Sequence, residues 1–531
     1  MEGWVTLCLI GLWTTLALWF FKPSGGGNGK PKKQVLPPGP WRIPIIGSLH
    51  HVVSALPHRT ITELCRKHGP MMYLRLGEVP TVVVSSAEAV EEMVKANDVA
   101  FANRRTTGMQ DIAGNGGKGI IFTPYSDHWR DMRRLCIVEL LSAKQVRRME
   151  SIRAEEMGTL LRYITASNGA AINVSQKVAA LSNDLVTRAV FGGKFNKQED
   201  YLREADTMMD LLGGFTLVDL FPSSRLVRWF SDEERRIKNC VDVMVGIITD
   251  ILVDRKAARA AGKDASSTTD DEDLLDVLLR LQEEDSLTSP LTTEIISTFL
   301  FDIFGAASET TGTALEWAMS ELVTHPKAMA KAQSEVREVL GPNRGIIANS
   351  DIAELPYLRL IIKEVLRLHP PPLLPRKTRE DCKIMGYDML KGTNVYINVF
   401  GISRDPKYWN NPEDFNPDRF ENSNVDFNGT SFEFTPFGGG RRRCPGITFA
   451  SSILEITLAN FLYHYDWILP NGACPDSLDM AEKFGFTIRK SYITNKYPRI
   501  FTSIEHLTGR QALKTWDLGC KAPSRFQVQK P

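Results

Sequence analysis

Phe437 to Gly446 reads Phe-Gly-Gly-Gly-Arg-Arg-Arg-Cys-Pro-Gly. Glycines at 438, 439, 440 and 446 let the backbone turn tightly and approach a flat group where a Cβ would intrude. Cys444 sits at that turn, where backbone N–H groups left free can point at its sulfur and tune its basicity. Arg442, two residues earlier, is a charge-assisted donor for a carboxylate. From Ile447 to Tyr463 the chain is apolar with a helical period, so the loop feeds a buried helix.

The fixed positions spell F-x-x-G-x-R-x-C-x-G, the pattern of a loop that presents a cysteine thiolate to haem iron. A thiolate trans to the open iron position pushes electron density onto bound oxygen and favours O–O cleavage. A lone cysteine is more often a small buried hydrophobe. Here the spacing around Cys444 selects the ligand reading, with Phe437, Arg442 and Gly446 placed to border the cofactor.

The chain has 531 residues, 43% of them hydrophobic, and a net charge of +1. That is ample for a large core, and the near-zero charge gives no support for nucleic-acid binding. Eight cysteines stand at 8, 65, 136, 240, 382, 444, 474 and 520, with no CxxC and no disulfide framework. Reduced thiols facing a cytosol-like compartment fit this usage.

Trp4 to Phe21 is 18 residues without a charge, about the minimum for a helix to cross a bilayer core. Glu2 near the start and bulky aromatics at the end disfavour a cleaved signal peptide. Lys22, Lys30, Lys32 and Lys33 come next, which predicts that the rest of the chain faces the cytosol. The expected organisation is an anchor over 1–21, a flexible spacer and proline-stiffened hinge over 22–40, a catalytic unit over 41–490, and a tail over 491–531. The tail shows little apolar periodicity, and Glu505–Pro531 is expected to be disordered or loosely laid on the surface; the competing expectation is that Ile500–Leu507 supplies a terminal strand.

Helical period dominates the remainder, around Ser86–Lys95, Ala143–Ala166, Glu234–Arg255, Leu291–Leu322, Pro326–Leu340 and Tyr357–Leu368. Strand-like alternation is short, at Met71–Leu76, Thr81–Val84 and Val395–Val399. The expectation is a mainly α protein with small β-sheets.

Three further constellations carry chemistry. Phe304-Gly-Ala-Ala-Ser-Glu309-Thr310-Thr311 lies inside the long apolar helix. Small residues there let the helix approach a flat ligand; Thr310 can then hydrogen-bond the activated oxygen and Glu309 relay protons. Glu364 and Arg367, three apart on one helix, share a face. Arg419, in Pro417-Asp-Arg-Phe420, can join them in a charge-assisted network that locks the loop's surroundings. Trp129 and Arg133, four apart, can both reach one haem propionate. Arg130, Arg134, Arg441 and Arg443 are spare charges suited to docking an acidic electron donor.

In this order the motifs resemble those of the cytochrome P-450 superfamily, from the N-terminal anchor to about residue 490. Their style is similar to plant A-type members, many of which oxidise terpenoids. The resemblance implies a prism-shaped, mainly helical fold with small sheets and one N-terminal transmembrane helix. It implies haem b with Cys444 as axial ligand, and Trp129, Arg133, Arg376 and Arg442 around its propionates. It also implies NADPH as the indirect electron source, through an endoplasmic-reticulum-bound NADPH–cytochrome P-450 reductase, with cytochrome b5 as an optional second donor. The implied reaction inserts one atom of O₂ into a small lipophilic substrate. Relatives that rearrange substrates without O₂ tend to lack the acid–threonine pair that Glu309 and Thr310 supply. A haem-binding scaffold is the remaining non-enzyme alternative.

Overall fold

The computed structural model describes residues 34–104, 108–213, 215–261, 272–284, 290–470, 473–491 and the backbone of 500–505. The described residues from Pro37 onward form one compact unit. Among the described residues no helix is long and apolar enough to cross a membrane. The expected span Trp4–Phe21 lies outside them.

The helices begin where the sequence supplies caps. Ser86 accepts from the Ala89 amide ahead of Ala87–Lys95, and Thr292 from the Ile295 amide ahead of Thr293–Thr324. Pro326 and Pro356 open their helices at the first turn, where the missing N–H costs nothing. Helix Thr293–Thr324 is the central element. It packs against Val174–Phe191, Glu233–Ala260, Pro356–Leu368 and Ile447–His464. Most of its residues between Ile296 and Val323 are buried, so its sequence is apolar nearly all round.

The stretch 143–166, expected as one helix, is two: Ala143–Arg148 and Glu150–Ala166. Met149 breaks it with a ψ of 7°, and Ser142 caps the first piece. Helical period alone does not register a one-residue break, because the apolar stripe continues on the other side.

Strands β1 (Met71–Leu76), β2 (Val79–Val84), β4 (Leu374–Lys377) and β7 (Asn394–Ile397) form one sheet in the order β1-β2-β7-β4. The pairs are antiparallel except β2 with β7. Short hairpins pair β5 (Cys382–Ile384) with β6 (Tyr387–Met389), and β9 (Glu482–Lys483) with β10 (Arg489–Lys490). The Pro37–Pro40 stretch is laid along β1. Pro38 O accepts from Tyr73 N at 2.8 Å, and a Cβ at Gly39 would meet Tyr73 O at 2.0 Å.

Ile500–Glu505 forms β11, the middle strand of a three-stranded sheet between β3 (Ala171–Asn173) and β8 (Tyr465–Ile468). The candidate strand at 500–507 is therefore formed over Ile500–Glu505, and the rest of the tail, 506–531, lies outside the described residues. Its period was hard to read because six residues carry few alternations.

Candidate active site: the Cys444 loop and the cavity beside Thr310

The loop begins with Thr435-Pro436-Phe437 and ends as Gly446 caps helix Ile447–His464. The Cys444 amide donates to Phe437 O at 2.9 Å, closing the turn. Gly438 and Gly440 hold φ of +71° and +63°, a region that L side chains rarely adopt. At Gly440 a Cβ would also meet an Asp98 carboxylate oxygen at 2.3 Å. Burial pushes the Cys444 thiol up, while the Gly446 amide and Arg133, Arg443 and Arg104 pull the other way. The loop therefore buries a sulfur and supplies what stabilises its thiolate.

Arg442 is buried and donates only to carbonyls: Nε to Ala102 O at 2.6 Å, Nη2 to Thr123 O at 2.5 Å and Nη1 to Ile120 O at 3.3 Å. Its guanidinium lies over the Trp129 ring, 4.2 Å from the centroid. The Trp129 indole N–H donates to Ile120 O at 3.1 Å. Arg133, one turn further on, donates to Arg443 O. Arg376 is buried on β4, with Nη2 3.3 Å from Gly439 O.

Sequence reading missed Arg104. Its Nη1 donates to Pro375 O at 2.8 Å, and its buried Nε has no hydrogen-bond partner. The signal was an arginine two residues past the apolar Ala100–Ala102 run, which is a costly place for a charge.

Burial lowers all four guanidiniums, and Arg104, Arg133 and Arg442 add to the effect on their neighbours. Burial and then Arg133 lower Arg104 to about 10, with the Cys444 charge opposing. Burial and then Arg104 and Arg133 lower Arg442 to about 8. Burial lowers Arg376 further, with Arg104, Arg442 and Arg133 adding to it. Burial lowers Arg133, which Cys136 and Cys444 oppose. A guanidinium keeps its proton near neutrality, so a dry cluster of four, with an unpartnered N–H, calls for anions. A haem fits that demand, since it brings two propionates, and Cys444 offers it a thiolate.

Glu309 and Thr310 lie mid-way along the central helix and line a cavity with Ala113, Phe122, Met208, Phe301 and Phe486. A Cβ added at Gly305 would meet nothing within 4 Å, so that face of the helix is open to a flat group. Thr310 Oγ1 donates to Ala306 O at 2.8 Å. Burial raises the Glu309 carboxyl, against Arg489 and Thr487, which lower it.

Away from the cavity, Glu364, Arg367 and Arg419 are joined as one network. Arg367 holds both Glu364 oxygens, at 2.7 and 2.8 Å, and Arg419 Nε donates to Oε1 at 2.9 Å. Glu364 and Arg367 side chains are fully buried. Of the spare charges, Arg130 pairs with Asp127 and Arg441 with Asp98. Arg443 turns inward to Phe427 O at 2.6 Å, whereas Arg134 is exposed.

Residues 37–495 match the family model "Cytochrome P450". The chain is 42% identical to desmethyl-deoxy-podophyllotoxin synthase of Sinopodophyllum hexandrum over 483 residues, which is 90% of this chain and 95% of that one. It is 44% identical to zealexin A1 synthase of Zea mays over 469 residues, 87% and 92% of the two chains. It is 42% identical to 5-epiaristolochene 1,3-dihydroxylase of Nicotiana tabacum over 467 residues, again 87% and 92%. A solved zebrafish cytochrome P450 with progesterone superimposes with a TM-score of 0.71 at 27% identity, covering 85% of this chain and 99% of that one. The likeness extends through the central helix and the Cys444 loop alike, and on it the chain belongs to the cytochrome P450 family of haem-iron monooxygenases.

Proposed function

We propose that this enzyme hydroxylates a terpenoid or similar lipophilic plant metabolite, using haem b and electrons passed from NADPH by a membrane-bound reductase. The observation that carries the site assignment is the buried arginine cluster beside Cys444. Bound through Cys444, haem supplies oxygen activation, which the thiolate's electron push promotes. Arg104, Arg133, Arg376 and Arg442 would hold its propionates, with the Trp129 ring packed against the Arg442 guanidinium.

The protein's own residues do the rest. Apolar walls from Phe122, Met208, Phe301 and Phe486 suit a hydrocarbon skeleton and exclude water. Glu309, raised by burial, holds a proton more readily than an exposed carboxylate and hands it on beside the Thr310 hydroxyl. Glu364, Arg367 and Arg419 brace the loops around the haem site. The relatives' names support the substrate class: zealexin A1 synthase, ent-cassadiene hydroxylase and 5-epiaristolochene 1,3-dihydroxylase.

Attachment to the endoplasmic reticulum membrane by Trp4–Phe21, with the catalytic unit in the cytosol, belongs to the same reading. A set of exposed apolar side chains supports it. Trp229 is 77% and Phe230 74% exposed, with Leu217 and Leu226 nearby in the chain, and Trp41, Ile45 and Val53 also outward. The two segments meet at the β1–β2 turn, where Gly77 N donates to Ile46 O and Glu78 N to Leu220 O. An apolar rim of this kind fits a lipid surface.

The test uses microsomes holding the full chain and a reductase. The expected results are a thiolate-type carbon monoxide difference spectrum and hydroxylated product from a panel of sesquiterpenes and diterpenes. Cys444→Ser should abolish both, because a neutral alcohol is a poor ligand beside a thiolate. An unchanged thiolate band in that variant would overturn the assignment of Cys444.

A further inference from the structure

Glu309 does not face the cavity alone. Its Oε1 accepts from Thr487 Oγ1 at 3.3 Å and lies 3.5 Å from Arg489 Nε. Arg489 reaches onward to helix Gln198–Leu211, with Nη1 3.3 Å from Asp206 and Nη2 paired with Asp210. Asp210 also takes Lys483 Nζ at 2.9 Å. One guanidinium is therefore shared among three carboxylates on two elements that face each other across the cavity.

The two sides are mounted differently. The β9–β10 hairpin that carries Arg489 is bolted to its neighbours. Trp317 Nε1 donates to Ile488 O at 2.8 Å and Lys490 Nζ to Ser320 Oγ at 3.1 Å, while Ser491 N closes the hairpin on itself at Ala481 O, 2.7 Å. At its other strand Glu482 takes His58 and Arg59 at 3.1 and 2.7 Å. Burial pushes Glu482 up, but those two donors outweigh it and hold it at about 2. Across the cavity, the tie from helix Gln198–Leu211 to the hairpin runs through side chains near water: Asp206 is 76% exposed. Met208, Met209 and Leu212, at that helix's end, line the same cavity as Glu309 and Thr310.

We infer that Arg489 is a positioning residue that couples the placement of helix 198–211 to the charge of Glu309. With the helix seated, Asp206 and Asp210 share Arg489 and weaken its hold on Glu309, which remains an acid able to carry a proton. When the helix lifts, Arg489 is left with Glu309 alone and holds it as a carboxylate, out of the relay. A substrate that seats the helix thus readies proton delivery. No atom changes partner covalently; the proton stays on Glu309 or returns to water.

The charged groups facing Glu309 are Arg489 from the hairpin, Asp206 and Asp210 from the opposed helix, and Lys483 behind Asp210. Asp302, on its own helix, lines the same cavity. Arg489 lowers the Glu309 carboxyl, whereas Asp206 and Asp210 raise it. Removal of the cation and removal of the two acids should therefore act in opposite directions, which no purely structural role requires.

This rests on the reading of Glu309 as the proton-handling acid, and the experiment separates the two. The protonated carboxyl band of Glu309 is followed by infrared difference spectroscopy against pH in the haem-loaded full chain, and is identified by its loss in Glu309→Gln. In Arg489→Gln the band should persist to higher pH than in the wild type, by roughly half a unit or more. In the Asp206→Asn/Asp210→Asn double variant it should vanish at lower pH by a similar amount. Arg489→Lys keeps the charge and should stay nearer the wild type than Arg489→Gln. Peroxide released per NADPH oxidised, with a reductase and the same pH series, should track the band.

The carbon monoxide spectrum shows that each variant is folded. Displacement in one direction by both changes, or none in either, overturns the coupling even where the enzyme still makes product. Loss of the thiolate spectrum in the wild type would instead count against the proposed function.

Discussion

Asp302 is held by amides rather than by a cation. Its Oδ2 accepts from Ile120 N at 2.6 Å and Ile121 N at 3.0 Å, tying the loop before Trp129 to the central helix. Burial pushes its carboxyl up to about 6, and the two amides only moderate the rise. The folded state thus binds a proton more tightly than the unfolded chain does. Stability contributed by that proton is full below about pH 4 and is lost as pH rises through about 6, an increment of roughly 3 kcal/mol. Asp302→Asn removes the titration. Denaturant unfolding of both proteins between pH 4 and pH 7 should show the wild type losing that increment relative to the variant. Parallel curves would refute it. The same residue shows what a linear reading misses. Asp302 stands two positions before Phe304, in a run that reads as apolar helix, and its partners lie some 180 residues earlier. Arg104 escaped notice for the same reason. Cys444, Arg442 and Gly440 were legible because their chemistry is written within ten residues.

At the scale of elements, the Glu364–Arg367 spacing gave one face of one helix and no more. The structure adds the carbonyls that the pair and Arg419 collect. Arg367 donates to Ser403 O, Pro412 O and Asp414 O, and Arg419 to Asn410 O, Asn411 O and Asp414 O. The network is thus a clasp that shapes an otherwise irregular segment, 403–419, whose path has no period to read. Glu364→Gln would leave two buried guanidiniums without their carboxylate. Breaking a buried pair from one side costs about 3–5 kcal/mol. The expected outcome is a markedly lower melting temperature and reduced haem content, measured as absorbance per protein, with the Glu364→Asp variant intermediate. A variant with wild-type melting and full haem would show that the clasp is dispensable. The helices that were legible, such as Pro326–Leu340, carry their own caps and stripes. The break at Met149 was not, since a local ψ near 0° leaves no mark on hydropathy.

For the whole molecule, the test lies at the C-terminal side, where the family match ends at residue 495. β11 lies beyond that point. Its Ile500, Phe501 and Thr502 oppose Asn173, Ile172 and Ala171, and Thr502 through Glu505 oppose Ile468 through Tyr465. β3 and β8 are three and four residues long and share no ladder with each other. Without β11 neither has a strand partner among the described residues, and their backbone groups must return to water or go unpaired. Each ladder hydrogen bond contributes on the order of 1 kcal/mol net, so the strand is worth several. Two truncations isolate the contribution of β11 from that of residues 506–531. Ending the chain after Glu505 keeps the sheet, and ending it after residue 499 removes the middle strand. The shorter protein should melt lower than the longer one by roughly 5 °C. It should retain its thiolate spectrum, because Cys444 and the arginine cluster sit on other elements. Equal melting of the two truncations would show that β11 is not needed by the fold, whereas loss of the thiolate spectrum would show that the sheet supports the haem site as well.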